Sequence, residues 1–324
     1  MFLAQDEFGS QVFAHQAVKN ESYFCPVCEA PVRLKAGKVK VAHFSHQHIL
    51  QCTRYLYKKE SLMHLKLKHD IYTELNKIYA TAMEYYLKEI EQIPDVLVNY
   101  QLAIEIQLSR ISADLVAIRT KGYNKLGMKV IWLINDAEVK KDECLLSLNH
   151  FQYATTTDHK LFTINTESLS VNIYHIGHHV GNNRFIYRSE KIQVKDLYGY
   201  SQRVDWPNDY KLSQSMVKKI LYHEKLAKSV LNPTLTYLYQ LDIHHQHIPK
   251  RFIMTCLDER DILNSPLEWK LYIHYHLNRG TFNLQIFMDF IRLRTNGNIL
   301  EKHIIVKNLV RYYLKVFRDS EDIA

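Results

Sequence analysis

The chain has 324 residues, 47% of them hydrophobic and 23% charged, with only 9 Gly and 7 Pro. This is ordinary globular composition for two or three units, and it excludes a disordered, collagen-like or linker-dominated chain. The longest strongly apolar run, Val130-Ile131-Trp132-Leu133-Ile134, falls far short of a membrane span.

The net charge of +8 divides unevenly: +4 over residues 1–59, −1 over 60–199 and +5 over 200–324. Positive surfaces attract polyanions, so the two basic ends point, weakly on their own, to nucleic acid. The opening residues Met1-Phe2-Leu3-Ala4-Gln5-Asp6-Glu7 lack a basic region followed by an apolar core. A cytoplasmic location without a secretory leader is expected. Five Cys in such a chain do not make a disulfide scaffold, and Cys144 and Cys256 read as buried thiols.

In chain order, Phe2-Leu3-Ala4 and Val12-Phe13-Ala14 flank a Gly turn and predict a hairpin. A second hairpin is expected to turn at Lys35-Ala36-Gly37-Lys38. Leu62, Leu65, Ile71, Leu75 and Ile78 predict an amphipathic helix over 60–79. Residues 80–90 fit helix or strand. Strands follow at 95–99 and 102–108, joined at Tyr100-Gln101 without the usual Gly. A helix over 109–126 places Ile111, Leu115 and Ile118 on one face and stops at Gly127; residues 129–134 form a buried strand. Residues 147–199 read as β-rich. After the Trp206-Pro207-Asn208-Asp209 loop the pattern turns helical, with a capping box at Ser265-Pro266-Leu267-Glu268 and further helices near 281–294 and 300–317. The expected domains are 1–58, 59–200 and 201–324.

Cys25-x-x-Cys28, followed by His43-x-x-His46, has the ligand types and spacing of a structural zinc site. Cys25, Cys28, His43 and His46 form the expected ligand set, with His48 and Cys52 as spare candidates for the fourth position. In the middle of the chain, alternation puts Glu105 and Gln107 on one strand face and Ile104 and Ile106 on the other. A short turn would bring Asp95 towards Glu105. Two carboxylates on an apolar hairpin are costly unless paired or metal-bound. The pattern fits either a Mg²⁺ or Mn²⁺ site for phosphodiester hydrolysis or a hairpin with a solvated polar face.

The spacing resembles the PD-(D/E)xK nuclease core, with Gln107 where that superfamily usually has Lys. Gln offers hydrogen bonds but no charge. A wider set of motifs is similar to the competence protein CoiA family: Tyr23-Phe24-Cys25-Pro26-Val27-Cys28, His43-Phe44-Ser45-His46, Glu60-Ser61-Leu62-Met63-His64-Leu65-Lys66, and Ala103-Ile104-Glu105-Ile106-Gln107-Leu108-Ser109. Arg119 and Tyr123 before Val130-Ile131-Trp132-Leu133 complete it. These motifs cover roughly residues 20–135. Ile93-Pro94 stand where the family often has Arg.

The resemblance implies an α+β protein: a zinc-ribbon-like N-terminal region, a restriction-endonuclease-like α/β core and a helical C-terminal domain. It implies a metal-dependent DNA nuclease-like role in recombination of DNA taken up during natural transformation, with DNA and a recombinase as partners. The alternative is a non-catalytic DNA-binding adaptor that assists the recombinase. Asp95 and Glu105 would hold Mg²⁺ or Mn²⁺, with the Ile106 carbonyl as an extra ligand, and Gln107 would orient water or phosphate. Glu60 and His64 share a helix face; Glu60 reads equally as a metal ligand or as a helix-start carboxylate. Glu84 is a further acidic candidate; Arg119 and Tyr123 share a helical face and read as phosphate contacts, with an ordinary surface role the favoured alternative for Tyr123. A homodimer is expected if duplex DNA is cut on both strands.

His175, His178 and His179, like His244, His245 and His247, read as loop or interface histidines. Lys218, Lys219, Lys225 and Lys228 form either a phosphate-facing stripe or a solvated helix face.

Overall fold

The computed structural model describes residues 1–37, 42–46, 52, 61–226, 232–294 and 299–321. Glu60, His48 and Lys228 lie outside these residues. The fold is mixed α/β. Five short strands open it: β1 (Leu3–Gln5), β2 (Gln11–Phe13), β3 (Tyr23–Phe24), β4 (Pro31–Lys35) and β5 (His43–His46). They form one sheet in the order β2-β1-β3-β4-β5. Tyr23 and Phe44 pack at 4.9 Å between ring centroids in its small core.

Next come α1 (Leu62–Asn76), β6 (Thr81–Met83), β7 (Val96–Val98), β8 (Leu102–Gln107), α2 (Ala113–Lys125) and β9 (Lys129–Asn135). β10 (Lys140–Lys141), β11 (Leu145–Ser147), α3 (His150–Ala154), β12 (Lys160–Ile164), β13 (Ser170–His179) and β14 (Arg184–Gln193) follow. The remainder is β15 (Asp209–Lys211), α4 (Gln214–Leu226), α5 (Pro233–Gln240), α6 (Lys250–Ile253), β16 (Met254–Cys256), α7 (Glu268–Asn278), α8 (Leu284–Phe290) and α9 (Ile299–Glu321). Among the described residues no helix is long and apolar enough to cross a membrane.

Two compact units result, and they do not follow the chain order of the three regions read from the sequence. The first takes residues 1–138, 155–173 and 190–202; the second takes 139–154, 174–189 and 203–324. In the first, β6–β7 and β7–β8 pair antiparallel, whereas β8–β9 and β9–β12 are parallel. The β7–β8 turn works without glycine because Asn99 and Tyr100 both adopt positive φ, at 49° and 53°, the geometry of a tight hairpin turn.

Helix α1 begins at Ser61, whose side chain accepts from the His64 N–H. It buries Leu67, Ile71 and Leu75 against Val96, Val98, Ile104, Ile106 and Leu133. Ile78 lies past its end and Leu62 is exposed, so the apolar stripe is narrower than the sequence suggested. Helix α2 reverses the expectation: Leu115 and Ile118 are exposed, and the buried face is Val116, Arg119, Gly122 and Tyr123. Gly122 permits this approach. A Cβ there would stand 2.3 Å from the Gln92 amide nitrogen.

The second unit is built around Trp269, Phe252, Ile273 and Tyr313. Its buried Lys270 donates to Glu259 at 2.8 Å. His175, His178 and His179 are not loop residues but buried positions of β13. His178 is 2.8 Å from the Pro207 carbonyl, and His179 is 2.8 Å from the Arg294 guanidinium. Cys256 is buried as expected, but Cys144 is exposed.

Ile104 is fully buried at the centre of the first unit's sheet. Ile104→Ala should therefore destabilise that unit by about 2–5 kcal/mol, read as a lower urea midpoint for its unfolding.

Candidate metal centres

The zinc-ribbon-like sheet gathers Cys25, Cys28, His46 and Cys52, whose ligand atoms all lie within 4.8 Å of one another. The Cys25 and Cys52 sulfurs are 3.9 Å apart, and the Cys28 sulfur is 3.4 Å from His46 Nε2. A tetrahedral zinc with Zn–S bonds of about 2.3 Å sets its sulfurs roughly 3.8 Å apart, so the donor set suits zinc. The Cys25–Cys28 turn is closed by Glu29 N–H donating to the Cys25 carbonyl at 2.9 Å, and Val27 N–H points to the Cys25 sulfur at 3.5 Å.

His43 is not part of this group; Cys52 takes the place expected for it. The reason is strand alternation. His43 and His46 are three residues apart on β5, so they face opposite sides, and His46 shares its side with the buried Phe44. Cys52→Ser should release zinc, whereas His43→Ala should retain one equivalent; metal analysis of the purified variants reads this.

The second centre is built on β7 and β8. Val96 pairs with Ile104, so Asp95, one residue earlier, stands opposite Glu105. Ile106 N–H donates to Asp95 Oδ2 at 2.8 Å, which fixes that carboxylate beside β8. Two residues of α1, one turn apart, reach the same group: His64 Nε2 is 3.2 Å from Asp95 Oδ2, and Lys68 Nζ is 3.0 Å from Oδ1. Lys68 also donates to Glu84 Oε1 at 2.8 Å. The other Glu84 oxygen accepts from Phe2 N–H at 2.9 Å.

Glu105 is held from α2, where Arg119 Nη2 and the Tyr123 hydroxyl both donate to Oε1. Arg119 donates to the Ile93 carbonyl at 3.1 Å as well, and its guanidinium lies 5.4 Å from the Trp132 ring centroid. Arg119 and Tyr123 are therefore buried members of the cluster, and Tyr123 is not the surface residue that the sequence favours. Gln107 is half-buried, and its amide nitrogen donates to the Ser109 carbonyl at 2.7 Å. The cation that the motif would carry at position 107 is absent there. Lys68, only 1% exposed, brings a positive charge to Asp95 from the helix instead. Sequence reading missed Lys68; its one signal is the four-residue spacing from His64.

The electrostatics separate the two carboxylates. Burial pushes Asp95 up, but Lys68, then His64 and the Ile106 N–H, outweigh it and hold the group below the ordinary carboxylate range. Burial pushes Glu105 up to about 7; Arg119 opposes this and the nearby Asp95 adds to it. Three carboxylates, Asp95, Glu105 and Glu84, thus face two permanent cations, Lys68 and Arg119. Glu105 takes up a proton near neutrality chiefly because burial penalises its charged form, with the neighbouring Asp95 adding to the shift. Adjacent oxygen donors with excess negative charge fit a hard divalent cation such as Mg²⁺ or Mn²⁺.

A proton on Glu105 would compete with such an ion. Mn²⁺ affinity should rise up to about tenfold per pH unit below about pH 7 and level off above it. Glu105→Gln should weaken binding and flatten the profile, as measured by calorimetric titration.

Two family models match the chain: the competence protein CoiA N-terminal domain over residues 9–55 and the competence protein CoiA nuclease-like domain over residues 60–200. A similar curated protein is competence protein CoiA of Bacillus subtilis (strain 168), 29% identical over 153 residues. That match spans 45% of this chain and 41% of the relative's length. No solved structure is significantly similar. With both of its characteristic domains matched in order, the chain belongs to the competence protein CoiA family.

Proposed function

We propose that this protein is a divalent-metal-dependent deoxyribonuclease that promotes recombination of incoming DNA during natural transformation, with branched or single-stranded DNA as its substrate. The observation that carries this reading is the buried Asp95–Glu105 pair on adjacent strands, with Asp95 held ionised and Glu105 pushed up to about 7 by burial. Bound Mg²⁺ or Mn²⁺ would polarise the phosphate and lower the pKa of the attacking water. The chain's own residues hold the frame. The Ile106 N–H and Lys68 fix Asp95, and Arg119 and Tyr123 fix Glu105. Gln107, beside them on β8, supplies hydrogen bonding but no charge. His64 Nε2, 3.2 Å from Asp95 Oδ2, adds a polar group to the same carboxylate. A recombinase partner and a homodimer belong to the same proposal.

A second reading, a non-catalytic DNA-binding adaptor for the recombinase, is favoured by one feature. Both carboxylates already have protein cations, so the cluster can stand as a structural ion network. One assay separates the two: wild type, Asp95→Ala and Glu105→Ala incubated with linear, single-stranded and branched DNA and Mg²⁺ or Mn²⁺. The nuclease reading predicts cleavage by wild type that falls on the order of a hundredfold or more in either variant. Equal products from all three, or none while DNA binding persists, would establish the adaptor.

A further inference from the structure

The second unit carries a cavity of about 840 Å³ that the proposed catalytic pair does not use. One wall is a single face of α4, and the other is the segment from His245 to Ile253. Lys218, Tyr222 and Lys225 follow one another at helical spacing, so α4 presents all three to the cavity. Lys211, just before the helix, and Lys250, at the start of α6, add two more ammonium groups. All four lysines are exposed. Among the described residues no carboxylate lines the cavity, and none of the four lysines is ion-paired.

Like charges are gathered here without the carboxylates that elsewhere in this protein balance them. Lys218 and Lys225 are seven residues apart, about 10.5 Å along the helix, so the positive charge runs as a track and not as a point. Lys219, read from the sequence as part of the same stripe, does not line the cavity. The floor is apolar, with Val217, Leu221 and Ile248, and the Tyr222 ring is 61% exposed. A cationic track beside an apolar floor and an exposed aromatic ring meets the two demands of an unpaired strand: charge for its phosphates and a flat surface for its bases. A duplex offers its phosphates but keeps its base faces stacked inside, so the floor and Tyr222 would contribute nothing to it.

We propose that this groove, lined by Lys211, Lys218, Lys225, Lys250 and Tyr222, is a single-stranded nucleic-acid binding site. It shares with the proposed function only the nature of the ligand and requires neither Asp95, Glu105 nor a divalent metal.

The test is fluorescence anisotropy of the full chain with a labelled thymidine homopolymer and a duplex of equal length, without added Mg²⁺ or Mn²⁺. Lys218→Ala/Lys225→Ala should weaken homopolymer binding at least about tenfold and reduce the slope of log affinity against log salt by about 1.4, roughly 0.7 for each phosphate no longer neutralised. Lys218→Arg/Lys225→Arg should restore both. Tyr222→Ala should cost the homopolymer about fivefold or more and leave the duplex unchanged. Thermal melting checks that each variant is folded. The proposal is overturned if the wild type does not bind the homopolymer, or if the folded double-alanine variant keeps its affinity and salt slope. In the second case the lysines would be left to serve an acidic protein surface. Loss of duplex and homopolymer binding in equal measure on Tyr222→Ala would also overturn it. Absence of DNA cleavage does not affect these readouts, so the groove and the nuclease reading can fail separately.

Discussion

Three carboxylates packed into one apolar fold must find positive charge, and the first unit is arranged around that need. Asp95, Glu105 and Glu84 are all buried, and Lys68 and Arg119 are the permanent cations brought to them from two different helices. An unpaired buried charge is too costly to keep, and removing one partner of such a pair typically costs about 3–5 kcal/mol. The helices are therefore constrained by charge as well as by packing. Helix α1 must present Lys68 at the edge of its apolar stripe. Helix α2 must turn Arg119 and Tyr123 inward even though this leaves Leu115 and Ile118 in solvent.

The same network ties the two metal centres to one frame. The backbone of Phe2, which leads into β1 of the zinc-ribbon-like sheet, donates to Glu84; Glu84 accepts from Lys68, and Lys68 reaches Asp95. Phe2 also packs with Leu65 of α1 and Met83 of β6. A continuous chain of hydrogen bonds through Glu84 and Lys68 thus links the N-terminal sheet, which carries the candidate zinc ligands, to Asp95. The arrangement explains how a site lacking the motif's usual lysine can keep Asp95 ionised. The charge comes from the neighbouring helix and leaves Gln107 to make neutral hydrogen bonds.

What could be read from the sequence follows from range. The alternation of residues 102–108 placed Glu105 and Gln107 together because strand periodicity is local. The Cys25-Pro26-Val27-Cys28 knuckle was legible for the same reason. The face of α2 was not, because helical periodicity assumes that apolar residues go inside. Arg119 and Tyr123 turn inward to donate to Glu105, 14 and 18 residues away. His43 was read as a zinc ligand from a His-x-x-His spacing that would suit a helix; on strand β5 the three-residue step separates the two rings. The buried histidines of β13 escaped for a related reason. Their partners, Pro207, Thr255 and Arg294, are remote in sequence, so nothing local marked them as core.

The proposed chemistry stands on Asp95 and Glu105 being a divalent-metal centre rather than a closed ion network. Diffraction at the manganese absorption edge from crystals grown with Mn²⁺ tests this most directly. A metal centre predicts an anomalous peak within ligand distance of both carboxylates. No peak at this position, with Asp95 still on Lys68 and Glu105 still on Arg119, would contradict it.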